Sequence, residues 1–373
     1  MFLALTEMRR AWGRFVLLAG SVALLVFLIL FQQALQDALV TAFIGAVRNQ
    51  DAPVIVYSVD AQRTLQASQL DRQQIDGIRG VRGVGATARV VQGTSTVRIG
   101  NGDLTDAAII GTDDSSLFVP LELSGGRRPS AHGEAVGSDV DFEVGDRVEV
   151  IPAPGGEATS LRVVGVAPEI QLNVTPTLFT DDVTAAAARR AVNPGAPGDL
   201  TNALAVQPEK GVEAASLTGR IQDAVPDVEA LTREDAATRA PGVDQVQQSF
   251  RVIFLLYALV VPLVTGLFFL ILTLQKSRSL TLLRAVGARP AVLVRSLLLQ
   301  VVAVLVIGIA VGLALFLPVS SLRVGSLPLR FDGTVVVVWA TALIVLGLLS
   351  ALVSLRRVLR IDPIEATTGG GGL

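Results

Sequence analysis

Four stretches of the chain are apolar throughout and hold no Asp, Glu, Lys, Arg or His: residues 15–31, 252–274, 296–317 and 334–355. A bilayer core is about 30 Å thick and a helix rises 1.5 Å per residue, so about 20 apolar residues cross it. Each stretch is therefore a predicted transmembrane helix; with their flanks the spans fall at 15–36, 251–275, 291–318 and 334–355. After the first, Phe31, Leu35, Leu39, Phe43 and Val47 recur every four residues. That spacing predicts an amphipathic helical stalk continuing past the membrane. The long apolar stretch, with no small-x-small site after it, reads as a signal anchor rather than a cleaved signal peptide.

Between the first two spans the pattern changes. Short β-prone runs at 54–59, 88–92, 107–111, 147–151, 161–166 and 204–207 predict strands, punctuated by Gly125-Gly126 and the Pro- and Gly-rich 152–156. Leu70, Ile75, Ile78, Val81 and Val84 predict a helix that turns into the next strand near Gly80 and Gly83. Residues 212–225 predict a helix and 228–231 a strand. A helix from about Glu234 is predicted to lead unbroken into the second span. The expected fold is a membrane α-helical protein, four transmembrane helices in a one-plus-three order, with an inserted α+β domain at 37–250 on helical stalks.

Charge gives this layout a direction. The formal net charge of −2 conceals 29 acidic and 17 basic residues in 37–250, against 4 and 14 elsewhere. The tail 1–14 carries Arg9, Arg10 and Arg14, the loop 276–290 carries Lys276, Arg278, Arg284 and Arg289, and the tail 356–373 carries Arg356, Arg357 and Arg360. Basic loops stay inside, so these three segments are expected in the cytoplasm, with both termini in. The acidic domain and the short loop 319–333 then lie outside a plasma membrane. Charged residues are only 17% of the chain, against about 25% in an average soluble protein.

Candidate chemistry is sparse. With no Cys there is no disulfide or thiolate metal site. His132 is the only histidine, in a Gly- and Ser-rich turn that reads as surface. Asp113-Asp114 and Asp181-Asp182 read as helix caps or solvated turns, and Arg127-Arg128 as a turn. Uncharged spans do not suit an ion-coupled transporter, which places ionisable groups at mid-membrane. Gly308 and Gly312 form a GxxxG pair that permits close helix packing. Neither Lys210, after Glu209, nor Lys276, after Gln275, sits in a Walker A motif. No cofactor and no enzyme activity are expected of the chain itself.

The loop 276–290 is the most informative stretch. Leu280, Leu283 and Val286 share one side of a short helix that Gly287 can end and Pro290 can restart. Ser279-Leu280-Thr281-Leu282-Leu283-Arg284-Ala285-Val286-Gly287-Ala288 resembles the loop of the FtsX/MacB/LolC-type (type VII) ABC permease family, without the acidic residue usual a few positions earlier. Pro363, Glu365 and Ala366 resemble that family's closing motif, and residues 18–50 are similar to its DevC branch. The resemblance implies that 279–288 is a coupling helix for a separate cytoplasmic ATPase, which would hold the ATP and Mg. It implies a permease dimer, identical chains being expected, and mechanotransmission to the outer domain. The work done there would be export or extraction of a lipid, lipoprotein, glycolipid or peptide; the alternative is an FtsX-like transmitter that activates a cell-wall hydrolase. An outer adaptor or hydrolase and membrane lipid are further implied partners; nucleic acid is not.

Overall fold

The computed structural model describes residues 12–195, 200–275, 290–320, 323–324, 327–329 and 333–359. Two compact units divide the chain, one centred on Asp37–Gln247 and one on the long helices before and after it.

The outer unit begins within α1 (Trp12–Arg48), a single helix of 37 residues, about 55 Å long at 1.5 Å per residue. Beyond it a first lobe is built from β1 (Val54–Ser58), α2 (Arg72–Arg79) and β2 (Val84–Ile99). The same lobe is completed from far along the chain by β9 (Ala203–Pro208), α4 (Ala214–Ala224) and β10 (Val228–Thr232). Its strands lie in the order β10-β1-β9-β2, all antiparallel. That is the split βαβ arrangement, two helices on one face of a four-stranded sheet. α2 starts cleanly because Asp71 and Gln74 form a reciprocal capping box.

Inserted between β2 and β9 is a second lobe of β3 (Leu104–Thr112), β4 (Gly125–Gly126), β5 (Glu134–Ser138), β6 (Arg147–Val150), β7 (Thr159–Ala167), β8 (Thr177–Asp181) and α3 (Asp182–Val192). Pairing runs β2-β3-β8-β5-β7-β6 and returns to β2 through Val97–Ile99 against Val148–Val150, closing a ring of six strands. β2 belongs to both lobes because its 16 residues first pair with β9 and then with β3.

Both faces of the central strands are covered, which explains their unbroken apolar runs. Val54 and Val56 of β1 pack with Ile75, Ile78, Leu217 and Ile221 under α2 and α4. Ile55 and Tyr57 face the other way, into a core with Ala46, Val47, Ile110 and Phe179. Ile109 and Leu178 enter a third cluster with Ala185 and Ala188 of α3. Burying each such Ile or Leu contributes roughly 1.5–3 kcal/mol.

Several expectations are corrected. The strand expected at 88–92 is the middle of a far longer one. β5 and β8 went unpredicted because Gly137, Thr177 and Thr180 interrupt their apolar pattern, and α3 because three alanines and Thr184 supply its buried face. The stalk stripe is also displaced by one residue. The deeply buried positions are Leu30, Ala34, Ala38, Ala42 and Ala46, while Phe31, Leu35, Leu39 and Phe43 stay half-buried; of the expected stripe Val47 alone is buried. Small side chains at the four-residue spacing let a neighbour approach more closely than the large ones beside them. Nor does the return helix run unbroken from Glu234. α5 (Arg233–Thr238) ends before Pro241 and Gly242, and Gly242 takes φ +87° before a new helix starts at Val243.

The helical unit holds the first part of α1, most of α6 (Val243–Gln275), α7 (Pro290–Val319) and α8 (Gly333–Leu359). Among the described residues three helices are long and apolar enough to cross a membrane, over Phe15–Arg48, Val243–Val264 and Leu298–Val319. α8 carries a shorter apolar stretch, Gly333–Leu349, within its 27 residues. α6 contains Pro262, which removes one backbone donor from the helix ladder.

Candidate functional site

The end of α1 is gripped by the segment 169–174 of the outer unit. The carbonyls of Ala42 and Phe43 accept from the backbone N–H groups of Val174 (2.8 Å) and Asn173 (3.0 Å). The N–H of Ala46 donates to the carbonyl of Gln171 at 3.0 Å. Asn49 Nδ2 donates to the carbonyl of Glu169 at 2.7 Å, and Arg48 reaches Glu169 Oε2 at 3.0 Å. Backbone groups in the last two turns of the helix thus bond directly to a segment distant in sequence. Gly45 makes the approach possible, because a Cβ there would overlap the carbonyl oxygen of Glu169. Glu169, Asn173 and Val174 all adopt positive φ, at 55°, 53° and 60°. For β-branched Val174 that is a strained conformation, held only because the surrounding bonds require it. Below the grip, Ile44 of α1 is buried with Ala237 of α5 and Val243 of α6, so both connections to the helical unit meet at one place.

In the helical unit, Gly308 and Gly312 lie on α7 against α1. A Cβ on Gly308 would stand 2.6 Å from Val22 Cγ1, and one on Gly312 2.6 Å from the carbonyl oxygen of Ala23. Gly347 of α8 approaches Leu305 of α7 in the same way, at 2.7 Å from Cδ1. Phe254 of α6 meets Trp339 of α8 in a tilted contact with ring centroids 5.1 Å apart.

The second lobe carries a cleft of about 440 Å³ at the ends of β3 and β8. Val119, Pro120 and Phe179 give it an apolar wall, and Arg128, His132, Asp113, Asp181 and Asp182 its charged and titratable groups. His132 Nδ1 lies 2.8 Å from Asp181 Oδ1. Asp181 is held in turn as the cap of α3, accepting from the N–H of Thr184 at 2.9 Å and from its hydroxyl at 2.6 Å. Partial burial raises the Asp181 carboxyl, but the bonds from Thr184 and His132 outweigh it, and the net pKa lies below the ordinary value. His132 is at the surface as its sequence context suggests, with 74% of its side chain exposed, yet it is oriented by a partner that local sequence did not reveal. Asp113 is not merely solvated: its carboxylate meets Arg89 at 2.8 Å, and Asp182 meets the same guanidinium at 3.2 Å. Arg127 pairs with Glu134, whose carboxyl is lowered to about 2 by the bonds from the Arg127 side chain and the Ser130 N–H. Among the described residues no group of three His, Cys, Asp or Glu side chains is arranged for a metal ion.

The coupling-helix residues Ser279 to Ala288 and the motif Pro363, Glu365 and Ala366 lie outside the described residues. The grip on α1 was not anticipated. Its one sequence signal is Gly45 itself, an isolated glycine late in an otherwise apolar helical pattern.

Comparison with known proteins adds the family. Residues 251–363 match the FtsX-like permease C-terminal model. The hemin transport system permease HrtB of Staphylococcus haemolyticus is 23% identical over 372 residues, 99% of each chain. An uncharacterized ABC transporter permease of Mycobacterium tuberculosis is 25% identical, covering 81% of this chain and 79% of its own. The extracellular domain of the transporter YknZ from Gram-positive bacteria matches at 14% identity and TM-score 0.32, over 48% of this chain and 98% of its own. The periplasmic region of MacB from Actinobacillus actinomycetemcomitans matches at 13% and TM-score 0.36, over 56% and 94%. Residues 251–363 thus have the sequence of an FtsX-like permease C-terminal region, and the chain as a whole is similar to an ABC transporter permease of the membrane.

Proposed function

We propose that the chain converts ATP hydrolysis on a cytoplasmic ATPase into movement of its outer domain, and that this movement exports an amphipathic compound. The observation that carries the reading is the grip on α1. One unbroken helix of 37 residues ends in a turn whose backbone is bonded to segment 169–174. A rigid helix so anchored transmits displacement, where a flexible linker would absorb it. The uncharged spans support the same reading, since they offer no polar path for a substrate. The coupling contact is assigned to Leu280, Leu283 and Val286, with Arg284 at its rim, and two permease copies work together. The family resemblance implies a lipid, lipoprotein, glycolipid or peptide as cargo. The S. haemolyticus relative's name adds hemin, another amphipathic molecule, and favours export over activation of a hydrolase.

The test uses the reconstituted complex. Leu283→Asp should lose the ATPase in a pull-down and Arg284→Ala should retain most of it, because a rim charge is largely solvated. Three glycines inserted between Gln36 and Asp37 should keep the ATPase bound and hydrolysing while ATP-dependent export stops. Export that survives the insertion would overturn mechanotransmission. Equal retention of the ATPase by both loop variants would overturn the coupling assignment. Native mass spectrometry should show two permease chains per complex.

A further inference from the structure

Two backbone groups that a helix normally pairs with each other have partners elsewhere at the end of α1. In a regular α-helix the N–H of residue 46 bonds the carbonyl of residue 42. Here the Ala42 carbonyl accepts from the Val174 N–H at 2.8 Å, and the Ala46 N–H donates to the Gln171 carbonyl at 3.0 Å. Segment 169–174 thus engages both ends of one rung of the helix ladder. Insertions into that ladder are places where helices bend or open.

The element that reaches the helix is a tight turn under strain. The Thr175 N–H bonds the Leu172 carbonyl at 3.0 Å, and the central residues Asn173 and Val174 sit at φ +53° and +60°. Positive φ at both is the mark of a type I′ turn, which asks for Asn and then Gly. Asn173 suits its place; Val174 does not, because a β-branched side chain is strained there. The turn is nonetheless stiff. Thr177 Oγ1 accepts from the Leu172 N–H at 2.9 Å and donates to the Thr175 carbonyl at 2.8 Å. It connects β7 to β8, two strands of the closed ring, and Gln171 Nε2 ties it to Asp141 Oδ2 at 2.7 Å. A shift of the turn against α1 therefore reaches the second lobe. If the turn withdraws, the Ala42 carbonyl and the Ala46 N–H can close on each other, and Val174 is freed from its positive φ. Two discrete arrangements of one contact are what a switching element requires.

We propose that the turn 172–175 and the end of α1 form a two-state catch. Closed, Asn173 and Val174 donate to Phe43 and Ala42; open, the helix bond between residues 42 and 46 takes their place. The strain at Val174 sets how readily the catch opens. The proposal rests on the transmission reading only for what the catch is for: closed, α1 carries the second lobe with it, and open, the helix end slips. Opening itself is a property of the outer domain and needs no ATPase.

Hydrogen exchange is followed at single amides in the full-length chain in lipid nanodiscs, first without the ATPase. In the wild type Asn173 and Val174 should exchange together, and many-fold faster than Phe179 of β8. Ala46 should stay protected, because its N–H passes from Gln171 to Ala42. Val174→Asn and Val174→Gly, both residues that accept positive φ, should each slow exchange at the turn by about fivefold and leave Phe179 unchanged. Loss of protection at Ala46 in step with Val174 would overturn the catch, since the contact would then fray with the helix. Unchanged or faster exchange of the Asn173 amide in both variants would overturn it as well. With the ATPase added, turnover should speed exchange at Asn173 and Val174 several-fold over the ADP state, and equal rates would remove the catch from the drive. The measurements without ATPase do not depend on ATP-dependent export or on the pull-down, so the two readings fail separately.

Discussion

Gly45 of α1 lies directly beneath the carbonyl of Glu169, close enough that a methyl group there would overlap the oxygen. Two segments more than 100 residues apart therefore meet backbone to backbone, bridged by Asn49 and Arg48, which both bond Glu169.

Gly45→Ala tests that contact. Alanine favours a helix over glycine by about 1 kcal/mol. Here the added methyl must push back a main-chain carbonyl, a form of overpacking that costs roughly 1–3 kcal/mol. The expected outcome is a lower unfolding midpoint for the outer domain, with faster amide exchange at residues 169–174. An unchanged midpoint with unchanged exchange would mean that the segment yields freely and holds nothing.

Helix packing in the membrane gives a second prediction with a built-in control. A leucine at Gly308 or Gly312 meets Val22, Ala23 or Val26 on α1, whereas Gly20 has nothing within 4 Å of its would-be Cβ. Gly312→Leu should lower the melting temperature in detergent and reduce export, and Gly20→Leu should do neither. If both variants melt alike, α1 and α7 are not held by this contact.

The apolar spans were legible because they depend on local sequence, on runs of apolar residues. Strand centres such as Ile109 and Ala205 were legible for the same reason. What escaped is non-local. β2 looks like a short strand from residues 88–92 alone; its full length follows from partners as distant as Ala203 and Val150. The stalk was assigned to the large residues Phe31, Leu35 and Phe43, although close packing had selected the alanines beside them. His132 read as a plain surface residue because its partner, Asp181, lies 49 positions on.

Orientation is the third prediction. The acidic domain and the three basic segments place the loop 152–156 outside and the C-terminus inside. Gly155, at φ +85°, marks an exposed turn that accepts a fusion. A reporter active only in the cytoplasm should be silent when fused at Gly156 and active at the C-terminus. Activity at Gly156 would reverse the topology and remove the outer domain from the export reading.

The last prediction concerns acid. Glu134 has an ordinary carboxyl pKa of 4.5 that is lowered to about 2 in the folded domain, chiefly by its bond from Arg127. Asp181 is shifted in the same direction. A carboxyl with a depressed folded pKa stabilises the fold fully above its unfolded pKa and loses that contribution as pH falls towards the folded value. Glu134 should therefore weaken the second lobe as pH drops from about 4.5 towards 2, and contribute a constant amount at neutral pH. Glu134 also accepts from Ser130 and sits on β5, so protonation should loosen the turn at residues 127–134 before the rest of the lobe. Hydrogen exchange across this pH range, corrected for intrinsic rates, should show residues 127–134 losing protection first. Glu134→Gln, which keeps the shape and cannot titrate, should give a shallower dependence. An identical slope in wild type and variant would mean that the Arg127 pair is solvated enough to be worth nothing, as many surface pairs are.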